Sequence, residues 1–130
     1  MEEIVGASHG RLERVRELVS AYPELAKSAW DWGFGDWESP IEAASHVGNR
    51  EIALLLIQNG ARPNLFTFTM LGELAVVKST LEVQPELHKA KGPHGLSLQH
   101  HARVGGEKAA AVLQYLESLS DADGGSLGVS

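Results

Sequence analysis

Gly10-Arg-Leu-Glu-Arg-Val-Arg-Glu-Leu-Val-Ser-Ala-Tyr-Pro-Glu-Leu-Ala-Lys27 and Gly72-Glu-Leu-Ala-Val-Val-Lys-Ser-Thr-Leu-Glu-Val-Gln-Pro-Glu-Leu-His-Lys89 are two copies of one pattern. Both begin with Gly, place Leu two residues later and Val five later, and close without a gap on Pro-Glu-Leu and Lys. A middle stretch, Gly48-Asn-Arg-Glu-Ile-Ala-Leu-Leu-Leu-Ile-Gln-Asn-Gly-Ala61, keeps the apolar spacing but ends Asn-Gly-Ala. A fourth copy starts at Gly106 and runs Glu-Lys-Ala-Ala-Ala-Val-Leu-Gln-Tyr-Leu116. Each reads as a short amphipathic helix behind a glycine. Recurrence on this scale means stacked supersecondary units, none of which can bury its apolar face alone.

A second, shorter helix signal precedes three of these glycines. In Ser39-Pro-Ile-Glu-Ala-Ala-Ser-His-Val-Gly48 the serine can cap the orphan N–H groups, Pro40 suits the first helical position, and Glu42 completes a capping box. Ser97-Leu-Gln-His-His-Ala-Arg-Val-Gly-Gly106 repeats the pattern with His100 in the Glu42 place, and Val5-Gly-Ala-Ser-His-Gly10 is the tail of such a helix. Asn49 can cap the next helix, and Asn59-Gly60 reads as its left-handed stop.

Residues 39–64, SPIEAASHVGNREIALLLIQNGARPN, resemble an ankyrin repeat, whose pattern is TPLHxAAxxGHxxVVxLLLxxGAxxN. Ser-Pro-Ile, Ala44, Gly48, Ile52, the Leu54–Leu56 run and Gly60-Ala61 fall at the family positions. Weaker copies extend the resemblance over residues 3–118. The Pro-Glu-Leu endings, the aromatic hairpin and Gly92-Pro-His-Gly95 are similar to a group of small bacterial ankyrin proteins. The resemblance implies an all-α solenoid of about four helix-pair units, residues 1–27, 39–61, 65–89 and 97–118, with short hairpin loops. It also implies that His100 hydrogen-bonds backbone of the hairpin turns. The positions before each unit's glycine, among them His9, His46, Val47 and Met70, are then expected to face a concave groove.

Spacing departs from the family period of about 33 residues. Glycine-to-glycine steps are 38 (10 to 48), 24 (48 to 72) and 34 (72 to 106). The first linker is therefore long, the second has lost a hairpin, and helix must follow Asn64 directly with Asn64 as its cap. Gln99 stands where an aliphatic residue is usual. Residues 119–130, rich in Gly, Ser and Asp, are expected to form a flexible tail.

Composition narrows the function. The chain has 130 residues, one domain's worth, and no cysteine, which excludes disulfides, a thiolate nucleophile and Cys-ligated metal. A net charge of −6 argues against nucleic-acid binding, which needs a basic stripe. The longest aliphatic run, Ile52–Ile57, is far short of the roughly 20 residues of a membrane span. No signal peptide is visible, so the expected compartment is the cytoplasm, with the periplasm open if a leader was removed.

Two features could carry chemistry. The linker Ala29-Trp-Asp-Trp-Gly-Phe-Gly-Asp-Trp-Glu38 holds all three tryptophans and reads as a β-hairpin finger. Trp30, Trp32, Phe34 and Trp37 suit cover for the edge of the stack. Ringed by Asp31, Asp36 and Glu38, they also suit a cation such as an amine or a Lys/Arg side chain. Of the six histidines, His100 and His101 are adjacent on a helix and point about 100° apart, so they do not chelate one ion together. His94 sits in the Gly-Pro-His-Gly turn. No HExxH motif, nucleophile elbow or phosphate loop is present, although Glu–His pairs could assemble across units. No catalytic residue, metal or cofactor is therefore expected. The expectation is a monomeric scaffold that binds another protein through the groove and hairpin tips. The alternative is a small-ligand binder or enzyme at the Trp-rich hairpin, using His94, His100 or His101.

Overall fold

Capping side chains set the helix starts in the computed structural model, which describes residues 2–31 and 37–127. Ser39 accepts the Glu42 N–H while Glu42 accepts the Ser39 N–H at 2.9 Å, so the capping box is complete. Asn49 accepts the Ile52 N–H and Asn64 the Thr67 N–H, each at 3.0 Å. Ser97 accepts the His100 N–H at 3.1 Å.

Eight α-helices follow among the described residues: α1 (Glu2–Ala7), α2 (Leu12–Ala21), α3 (Pro40–His46), α4 (Arg50–Gln58), α5 (Leu65–Leu71), α6 (Leu74–Val83), α7 (Leu98–Val104) and α8 (Ala110–Leu127). The two Pro-Glu-Leu copies form matching 3-10 helices, Pro23–Lys27 and Pro85–Lys89. Antiparallel strands β1 (Trp30–Asp31) and β2 (Trp37–Glu38) pair Trp30 with Glu38 and Asp31 with Trp37. Apart from this hairpin the described residues form an all-α fold, as expected. No helix among the described residues is long and apolar enough to cross a membrane.

Successive short helices touch in the order α1, α3, α5, α7, while α2 packs on α4 and α6 on α8. Two apolar clusters result. Ile4, Val15, Ile52, Leu56 and Met70 belong to the first, and Val77, Leu81, Leu98, Val112 and Leu116 to the second. One contact departs from a one-dimensional stack, in which each repeat meets only its neighbours. Helix α3 also touches α7 directly. Gly48, at φ 75°, lies so close to the Val104 carbonyl that a Cβ would collide with it. The short second step makes this fold-back possible, because only residues 59–64 separate α4 from α5.

The structure corrects several expectations. Gly10 is not the counterpart of Gly48: the left-handed glycines are Gly48, Gly60, Gly72, Gly95 and Gly106. Ser8 and Ser45 instead mark the register, each hydroxyl donating to the carbonyl four residues back, Ile4 and Ile41. His9 thus corresponds to His46, and the α1–α2 turn is one residue shorter than the α3–α4 turn. Of the Leu54–Leu56 run only Leu56 is fully buried, since a helix turns just one residue in three or four to the core. Met70 is buried in the first cluster, so it offers no surface to a partner. Helix α8 is assigned through Leu127, past residue 119, where the flexible tail was expected to begin.

Candidate functional site

Four segments converge at the turn ends of α1 and α3. His9 follows α1, and its Nδ1 lies 3.2 Å from the Gly6 carbonyl. A carbonyl oxygen can only accept, so Nδ1 carries the hydrogen and Nε2 points onward. Glu38 ends β2, held by the strand pairing on one side and the Ser39 capping box on the other. His46 is the last residue of α3. His94 occupies the turn before α7 in a left-handed conformation, φ 60° and ψ 19°. A non-glycine residue kept there costs of order 1 kcal/mol or more, and such strain concentrates at functional sites.

Their side chains meet. Glu38 is fully buried, and one carboxylate oxygen, Oε2, lies 2.8 Å from His46 Nε2 and 3.4 Å from His94 Nε2. The other, Oε1, lies 3.3 Å from His9 Nε2. His9 and His46 bring their Nε2 atoms within 3.0 Å of each other. Rings of His9 and His46, and of His46 and His94, stand edge to face at 4.9 and 5.1 Å. One ligand atom from each of the four residues falls within a span of 4.8 Å, so the group can share protons or hold one cation. The His94 side chain is one-third exposed, which leaves the cluster open to solvent on that side.

The other two histidines of interest lie on α7. His100 Nε2 is 2.8 Å from the His46 carbonyl, so it does bond backbone, but in the α3–α4 turn rather than in a hairpin turn. His101 is buried against Phe66, and its Nδ1 donates to the Ser97 carbonyl at 2.7 Å. Burial lowers its pKa from 6.5 to about 4.

Of the expected site residues, the structure brings together His9, His46 and His94, and places Val47 exposed beside them. Trp32, Phe34 and Asp36 lie outside the described residues, as do the side chains of Trp30, Asp31 and Trp37. The sequence places Glu38 beside the aromatic rings as a carboxylate for an organic cation, not beside His9, His46 and His94. Steps of 29 (9 to 38), 8 (38 to 46) and 48 (46 to 94) form no local motif. The sequence signals were the repeated Ser-His pair at the ends of α1 and α3, and Glu38 among the hairpin carboxylates. No protein-family model matches the chain, and neither a curated protein nor a solved structure does.

Proposed function

We propose that this chain is an ankyrin-type repeat domain that binds another protein, with the face around His9, His46, Val47 and the hairpin as its recognition surface. One observation carries the reading. Equivalent positions of the first two units, His9 and His46, converge with hairpin residue Glu38 at a half-open polar centre. Repeat folds present extended concave surfaces for binding, and the turns that end these helices are held before a partner arrives, so little ordering entropy is lost on docking. The nearby exposed Val47 supplies apolar contact.

The test is titration calorimetry of the isolated partner, captured by crosslinking, against surface variants. Val47→Glu should weaken binding at least about tenfold, the scale of an interface contact worth more than 1 kcal/mol. Arg16→Glu, on exposed α2, should leave it unchanged. The reverse outcome would move the recognition surface to α2 and overturn the reading.

A further inference from the structure

We propose that His9, Glu38, His46 and His94 form a binding site for one divalent transition-metal ion, with Zn2+ as the ligand that fits best. The donor set is the first argument. Imidazole nitrogen with one carboxylate suits zinc and its late first-row neighbours, whereas Mg2+ and Ca2+ take shells of six or more ligands, mainly oxygen. Geometry is the second. Donors about 2.0–2.1 Å from a tetrahedral zinc stand about 3.3 Å from one another. With Glu38 Oε2 as the carboxylate donor, the separations are 2.8 Å to His46, 3.4 Å to His94 and 3.0 Å between His46 and His9. One donor atom from each residue falls within 4.8 Å, near that spacing.

Charge supplies a third argument. With its hydrogen on Nδ1, His9 presents a lone-pair Nε2 that lies 3.0 Å from His46 Nε2 and 3.3 Å from Glu38 Oε1, so acceptor atoms crowd the centre and repel. Positive charge at the centre turns that repulsion into attraction. Glu38 is fully buried, and a cation beside its carboxylate offsets part of the cost of burying an anion. The outer shell also fits. Metal-bound histidines characteristically donate their second ring N–H to a carbonyl, as His9 does to Gly6, and the His46 backbone is anchored by His100.

Four protein donors fill a tetrahedral shell, so the site is a closed, structural one rather than a hydrolytic centre with an open position. It joins α1, the hairpin, α3 and the turn before α7, three of the four units. The metal therefore fastens the fold-back in which α3 touches α7. His94 and His9, the two donors about one-third exposed, face the side through which the ion enters and leaves.

The experiment uses the full chain, stripped with a chelator and titrated with Zn2+ against a competing chromophoric chelator, with no protein partner present. Failure here is thus separable from failure of the partner-binding reading. One Zn2+ per chain should bind, and the thermal midpoint should rise with added Zn2+. His94→Ala should weaken Zn2+ binding by more than the roughly 10–100-fold that loss of an outer-shell partner costs. Glu38→Gln should do the same, while His88→Ala keeps wild-type affinity. Because His94 is partly exposed, its variant folds even if Glu38→Gln does not. Unchanged affinity in His94→Ala, or no stoichiometric binding to wild type, would overturn the proposal and leave a proton-sharing cluster.

Discussion

The two histidine groups on the two sides of the His46 backbone make opposite electrostatic demands. His9, His46 and His94 surround a buried carboxylate and are open to solvent at His94, so their centre favours positive charge. His101 sits 1% exposed among apolar side chains against Phe66, where desolvation disfavours the imidazolium. His100 links them by its 2.8 Å bond to the His46 carbonyl. The two groups also differ in origin, the first drawn from α1, β2, α3 and the turn before α7, whereas His101 lies on α7 between Leu98 and Ala102 of the second cluster. The same side chain thus faces a buried carboxylate at one site and an aromatic ring in the core at the other.

The largest expected effects come from breaking either apolar cluster. Leu56→Ala and Leu98→Ala each delete a fully buried side chain and should cost about 2–5 kcal/mol, read by chemical denaturation. If the α3–α7 contact and the His100 bond couple the two clusters, each variant unfolds in a single transition. Two separated transitions would break the comparison into independent domains.

The next effect is pH dependence. The folded-state pKa of His101, about 4, is below its unfolded value of about 6.5, so the unfolded chain binds the proton more readily. The stability involved is fully present above pH 6.5 and is lost as pH falls toward 4, by up to about 3 kcal/mol. His101→Leu should flatten that part of the curve of stability against pH. An unchanged slope in that variant would assign the acid sensitivity to other groups.

How much of this was readable follows from the range of each interaction. Caps at Ser39, Asn49, Asn64 and Ser97, the left-handed Gly60 and the paired Pro-Glu-Leu turns are set within a few residues, and the sequence spells them out. The one-residue slip at Gly10 escaped because glycine marks a turn without fixing its length. The cluster escaped because its four residues come from four segments, and His94 reaches His46 only through an α3–α7 contact that a regular stack does not have. The adjacent pair His100–His101, more conspicuous in the sequence, splits between a backbone anchor and the core.

The smallest effect uses two caps as a matched pair. Ser39→Ala and Asn49→Ala each remove one capping acceptor and should cost about 1 kcal/mol by thermal denaturation. Ser39 adjoins Glu38, so its loss should also weaken Zn2+ binding, whereas Asn49→Ala should not. Equal Zn2+ affinity in the two variants would show that the capping box does not position Glu38.

X-ray absorption spectroscopy of the zinc-loaded chain tests the central claim most directly. The account predicts a four-coordinate shell of nitrogen and oxygen at about 2.0–2.2 Å, with outer-shell scattering from three imidazole rings. A six-coordinate oxygen-dominated shell, or scattering from fewer than two imidazoles per zinc, would contradict it.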